Sequence, residues 1–202
     1  MSVFYHEKSQ TFHLTNGRIS YLMKVLPNGT LGQLYFGRAI RDREDFDHLL
    51  EFASRPMSSC VFEGNPCFSL EHCRQEYPSH GSTDFRRPAV ELRQPNGSRI
   101  TSFVYHSHTV APGKPALKGL PATYCEQDSE AETLTIRLQD ELLNVSIYLN
   151  YTLFAGHPAL ARSARIVNEG GLELHLTHAM SLSLDLPDME YELLHFSGAW
   201  GR

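Results

Sequence analysis

Three Asn-Gly pairs, at Asn16-Gly17, Asn28-Gly29 and Asn96-Gly97, each stand beside runs of strand-forming residues. Both residues tolerate positive φ, so the pair between two such runs is a strong hairpin signal. Phe12-His13-Leu14 precedes the first pair, Ile19 to Val25 lies between the first and second, and Leu31 to Gly37 follows. A chain punctuated in this way opens as an antiparallel meander. Asn96-Gly97 repeats the device between Ala89–Arg93 and Ile100–His108.

The later half carries the same message through alternation. Val145, Ile147, Leu149, Tyr151 and Leu153 fall on one face of a period-two segment, and Leu134, Ile136 and Leu138 alternate with Thr133, Thr135 and Arg137. Period two sends neighbouring side chains to opposite sheet faces, so these are half-buried strands. Leu160–Val167 is another, ended by Asn168-Glu169-Gly170-Gly171, and Leu172–Leu186 continues the pattern. Phe68-Ser69-Leu70 and Leu120–Tyr124 read as short strands, and Tyr191–Phe196 as a last apolar run. A short helical turn is expected around Asp45 to Leu50. Roughly a dozen strands at spacings near 8–12 residues make an all-β fold, a large antiparallel β-sandwich. The chain has 202 residues with no internal repeat or low-complexity linker, and reads as a single domain over residues 1–202.

Between the two strand-rich halves lies Glu76–Pro88, EYPSHGSTDFRRP. Neither a strand nor a helix period runs through it, so it reads as a long shaped loop, the kind of segment that carries binding groups on a rigid scaffold. The net charge of −5 and the lack of a basic block argue against nucleic acid. No apolar run is long enough for a membrane helix, and MSVFYHEKSQTFHL has no signal-peptide core. The expectation is a cytoplasmic protein whose Cys60, Cys67, Cys73 and Cys125 are free thiols. No C-x-x-C pair points to zinc.

Chemistry is harder to find. Glycoside cleavage needs two carboxyl groups set about 5–9.5 Å apart. The available pairs are Glu76 with Asp84, Glu130 with Glu132, and Asp185 with Asp188, and each reads better as solvated surface. His106 and His108, two apart on a strand, would point the same way as metal ligands do, with His80 as a possible third. His175 and His178, three apart, would face opposite sides. There is no G-x-S-x-G elbow, phosphate-binding loop or nicotinamide fingerprint. The residues alone give a β-sandwich with binding-type loops and no catalytic centre.

In order along the chain stand Glu76-Tyr77-Pro78 to Asp84-Phe85-Arg86, Gly113-Lys114-Pro115, Leu120–Tyr124, Glu130–Leu134, Ser181–Asp185 and Ser197-Gly198-Ala199-Trp200-Gly201-Arg202. Together these segments resemble the N-terminal domain of bacterial α-galactosidases of glycoside hydrolase family 36. The resemblance implies a β-supersandwich of the galactose mutarotase type. It implies a parent roughly three to four times longer, in which a (β/α)₈ barrel carries both catalytic aspartates of a retaining mechanism. Neither aspartate would lie in this chain, which agrees with its ending two residues after its only tryptophan. The expectation is a fragment, inactive alone, with no metal or nicotinamide cofactor.

Its implied partners are α-galactoside oligosaccharides of the raffinose or melibiose type, its own barrel, and further copies in a homotetramer. In that assembly the tryptophan of the Gly-Ala-Trp segment reaches a neighbour's substrate, which assigns substrate binding to Trp200. An acidic residue from Asp47 to Pro66 would also be lent, with Asp47 and Glu51 possible. Two other readings stand beside this one. The first is a free-standing carbohydrate-binding sandwich. The second is a mutarotase-like enzyme using His106 or His108 with Glu76.

Overall fold

The computed structural model describes residues 1–51, 54, 59–81, 84–119 and 122–198. Among them the hairpin signals are realised. Strands β1 (Ser2–His6), β2 (Thr11–Thr15), β3 (Ile19–Val25) and β4 (Leu31–Arg38) pair antiparallel in chain order. Gly17 and Gly29 take φ of +79° and +82° in the two Asn-Gly turns. A second four-stranded sheet runs β6 (Val104–Pro112), β7 (Ala131–Asp140), β8 (Val145–Phe154) and β9 (Leu160–Asn168), again antiparallel in chain order. Between them β5 (Val90–Arg93) pairs with β10 (His175–Ala179), joining residues more than eighty apart.

The two large sheets enclose one core. Phe12, Leu14, Tyr21 and Met23 from the first meet Leu134, Ile136, Ile147 and Leu149 from the second, all buried. Every member of the apolar row Val145, Ile147, Leu149, Tyr151 and Leu153 is buried. Each such side chain contributes about 1.5–3 kcal/mol, and a one-residue slip would turn the whole row to the outer face, so the register is firmly set. The Gly29 turn ties the sheets at one end. Its carbonyl accepts the Tyr105 N–H at 2.7 Å, and a Cβ on Gly29 would stand 3.0 Å from that of Val104.

Strand β3 departs from alternation because both of its faces are covered. Its second face carries Leu22, which clusters with Leu34 and Phe46 beneath the segment that follows β4. That segment contains a 3₁₀ turn at Asp47–Leu49, within the helical turn expected there.

Ten strands form among the described residues, fewer than the dozen expected. Phe68–Leu70 is no strand. Phe68 and Leu70 instead bury their side chains with Leu26 and Cys73 in a satellite cluster, which supplies the same apolar signal. Strand β6 begins at Val104 rather than Ile100. Tyr191–Phe196 forms no strand either; residues 181–198 carry none, and Leu193, Leu194 and Phe196 are almost wholly exposed. Part of the expected Leu120–Tyr124 strand, and all of Trp200, lie outside the described residues.

Candidate functional site

The central loop is built around a buried carboxylate. Glu76 has no exposure to solvent. Tyr21 of β3 donates its phenol hydrogen to Oε2 at 2.6 Å, and Tyr151 of β8 donates to Oε1 at 2.8 Å. Arg162 of β9 forms an ion pair with Oε1 and spreads its guanidinium 5.0 Å from the centre of the Tyr151 ring. One side chain from each large sheet, the loop and an edge strand thus meet at a single point. Burial pushes the Glu76 carboxyl up, while Arg162 and the two phenols pull it back only in part. Burial, and then the nearby Glu76 carboxylate, push both phenols well up, which keeps them neutral donors.

This arrangement holds; it does not react. Both oxygens of Glu76 are occupied, and no solvent reaches them. The sequence left a signal for it. Arg162 falls in the same strand phase as Leu160, Ala164 and Ile166, opposite Tyr151. A guanidinium on the apolar row of a strand requires a buried partner.

The far end of the loop is held by Arg86. Its Nε donates to Asp84 Oδ1 at 2.9 Å, Nη1 to Asp185 Oδ2 at 3.1 Å, and Nη2 to the carbonyls of Leu70 and Cys73 at 3.0 and 2.7 Å. Asp84 is itself almost fully buried and also accepts from Gln75. The pairing of Glu76 with Asp84 is therefore not made, since each carboxylate has its own cation. Asp185 is taken by Arg86, while Asp188 is exposed. Glu130 accepts the Glu126 N–H at 3.1 Å from an exposed turn, and Glu132 sits on β7 opposite Leu153.

The histidines also fall differently from their spacing. A bulge between Tyr105 and Ser107 inserts His106 as an extra residue in β6. Tyr105 and His108 then share the inner face, where Tyr105 Oη lies 2.8 Å from His108 Nδ1, while His106 is exposed beside Ser107. His108 packs tilted against Tyr5 and edge-on to Phe12, and desolvation pushes its imidazole down. His80 faces Glu91. A second bulge, at Thr177, puts His175 and His178 opposite Arg93 and Glu91, on one face rather than two. Among the described residues no cluster of three or more His, Cys, Asp and Glu could hold a metal ion.

One arrangement has the residue order of a hydrolytic triad. Ser20 Oγ lies 2.8 Å from His13 Nε2, and His13 Nδ1 lies 2.7 Å from Asp42 Oδ1. Ser20 and His13 are completely buried, and Ser20 Oγ already accepts the Ile40 N–H at 3.0 Å. A nucleophile needs an accessible oxygen, so this triad fastens the segment after β4 to the back of the first sheet. His6 adds a second bond to Asp42. Partial burial opposes ionisation of Asp42, but the two imidazoles outweigh it and hold the carboxyl below its usual range. Cys67, Cys73 and Cys125 are free thiols. Asp47 is bound to Lys24, and Glu51 opens onto a cleft of about 350 Å³ with His72, Arg74 and Pro187.

Solved structures of similar proteins share this fold. The family model for the glycosyl hydrolase family 36 N-terminal domain matches residues 29–202. The α-galactosidase AgaA of Geobacillus stearothermophilus is 42% identical over 207 residues, covering 100% of this chain and 28% of that protein. A crystal structure of a variant of AgaA in complex with raffinose superposes with a TM-score of 0.82 at 41% identity, over 88% of this chain and 24% of that one. The α-galactosidase of Lactobacillus brevis superposes with a TM-score of 0.87 at 34% identity, over 92% of this chain and 25% of that one. The chain thus spans about a quarter of the length of these relatives.

Proposed function

This chain belongs to the glycosyl hydrolase family 36 N-terminal domain family, and from that premise we propose that it is the non-catalytic part of a cytoplasmic α-galactosidase. The parent hydrolyses terminal α-galactosyl residues of oligosaccharides with retention of configuration. This domain serves tetramer assembly and shapes a neighbouring substrate site. The observation that carries the reading is the commitment of the paired carboxylates. A retaining pair stands about 5–5.5 Å apart and faces substrate, whereas Glu76 and Asp84 are buried on their own arginines. The two reacting carboxylates then belong to the remainder of the parent, in a barrel that packs on this domain. The exposed apolar side chains of residues 181–198 support that docking, because contiguous apolar surface marks interaction sites.

The test is turnover. The 202-residue chain is expected to release no chromophore from a chromogenic α-galactoside, and the full-length enzyme to release it readily. Turnover by the chain alone would sink the proposal. The mutarotase-like reading gains nothing from the structure, since Glu76 and His108 have separate partners.

Trp200 carries the substrate-binding part of the proposal. Its indole offers an apolar face to the C–H face of a galactosyl ring. In the full-length enzyme Trp200→Ala is expected to raise KM through a loss of about 1–3 kcal/mol of binding. The melting temperature should change little. An unchanged KM with a lowered melting temperature would assign the tryptophan to packing instead.

A further inference from the structure

We propose that the outer face of the β6–β9 sheet carries a second, non-catalytic oligosaccharide-binding groove with Tyr124 as its stacking platform. The ligand class rests on the function proposed above; the groove itself rests on geometry. It has a volume of about 940 Å³ and is lined by Thr123, Tyr124, Glu130, Phe154, Gly156 and His157. That size lies within the range of about 300–1,000 Å³ that encloses small ligands. A smaller depression of about 230 Å³ shares Ala122 and Thr123 with it and reaches Lys114, Asn150, Thr152 and Ser163. The two form one trough between residues 114–117 and 122–124 on one side and the outer rows of β8 and β9 on the other.

The chemistry of the trough matches a neutral sugar. Tyr124 is 77% exposed and offers an aromatic face to the C–H side of a pyranose. Phe154 extends the apolar floor. Beyond them runs a row of neutral donors and acceptors. Asn150 and Ser163 line the smaller depression; Asn150 accepts from Thr135 at 2.8 Å and donates to Ser163 at 3.2 Å. These bonds fix the orientation of hydroxyl and amide groups that a polyol recognises. Glu130 supplies a carboxylate and Lys114 a cation, and the charge of Arg162, which also lines the smaller depression, is met by Glu76, so neither sign dominates and a strongly charged ligand is disfavoured. An apolar floor with a few oriented polar groups is the usual make-up of a small-ligand site.

Raffinose is the probe, followed by amide NMR titration of the 202-residue chain. The expected result is a set of shifts at Thr123, Tyr124, Glu130, Gly156 and His157, with a dissociation constant on the order of 1 mM. Tyr124→Ala should raise that constant at least about tenfold, the scale of one lost aromatic contact. The melting temperature should not move, because the ring is mostly exposed. Gly156→Trp provides a second variant. A Cβ there meets nothing within 4 Å, and the carbonyl that accepts from Arg18 is retained, so the indole fills the groove without strain. It should abolish the shifts.

Three results would overturn the proposal. One is no shift at raffinose concentrations of about 50 mM. Another is shifts confined to residues 181–198. The third is a dimer, formed without sugar and lost in Tyr124→Ala, which would make the groove an interface between copies. Turnover by the isolated chain would sink the function proposed above while leaving these binding readouts intact, so the two proposals fail separately.

Discussion

Arg162→Met is expected to lower stability by about 3–5 kcal/mol, the cost of leaving one member of a buried ion pair without its partner. For a chain of this size that is a fall of roughly 6–20 °C in melting temperature. The Arg162 side chain is 9% exposed and Glu76 is wholly enclosed, so solvent cannot take over from the guanidinium. Tyr21 and Tyr151 would still donate to the carboxylate, but two neutral phenols replace neither a full charge nor the cation that lies over their rings. Methionine keeps most of the volume and adds no charge, which isolates the electrostatic loss from cavity formation. Glu76→Gln in the same background removes the orphaned charge. The double variant is therefore expected to be more stable than Arg162→Met alone. Urea denaturation of the four proteins gives the coupling. A cost for Arg162→Met below about 1 kcal/mol, the scale of an exposed pair, would show that the carboxylate does not depend on its arginine.

The same cluster gives a pH dependence with a definite sign. The Glu76 carboxyl is raised by burial even with Arg162 in place. A raised folded pKa means that the native state keeps the proton to higher pH than the unfolded chain does. The group's contribution is therefore complete below the unfolded value of about 4.3 and is lost as pH rises through the folded value. Removing the guanidinium takes away the largest influence holding that value down, and moves the window of loss upward. The deficit of Arg162→Met relative to the native chain is then larger at about pH 8 than at about pH 5. A deficit that does not vary with pH would mean that Glu76 keeps the same protonation state throughout.

How much of this was legible depended on the range of the interactions. Strand β8, Val145–Phe154, spans the alternating row from Val145 to Leu153, because its period and the fold agree residue by residue. The Asn-Gly turns are equally local. The bulges at His106 and Thr177 leave no local mark, and each reverses the face assigned to a pair of histidines. The Glu76 cluster draws on residues 55, 75 and 86 positions away, so no spacing rule reaches it. Arg162 on the apolar row of β9 was its one visible trace. Phe68 and Leu70 show the converse, an apolar alternation that serves a loop-covered cluster rather than a sheet. The groove beside Tyr124 has no sequence signature, since a loop and two strands make it only by coming together in space.

Arg86→Ala is expected to cost about 2–3 kcal/mol and to loosen the segment that follows β10. Arg86 uses its donors within the domain, on Asp84, Asp185 and the carbonyls of Leu70 and Cys73. The cost stays below that of Arg162→Met because the Arg86 side chain is 43% exposed, so water screens part of the loss. It stays well above that of a surface charge, because Asp84 is buried and would keep only Gln75 and the Arg86 N–H as donors. Arg87, exposed, provides the control, with a change of less than about 0.5 kcal/mol expected for Arg87→Ala. Arg86→Lys should not rescue, since one ammonium cannot reach Asp84, Asp185 and two carbonyls together. The dynamic consequence follows from Asp185. That residue, the Met180 carbonyl bound by Tyr77 and the Ser183 carbonyl beside Arg162 fix the start of the exposed segment. Freed at Asp185, the segment opens more often, and opening without much buried surface costs little. Limited proteolysis should therefore cut residues 186–198 faster in Arg86→Ala than in the native chain or in Arg87→Ala. Equal cutting rates and equal melting temperatures across the three would show that Arg86 holds neither the loop nor the segment.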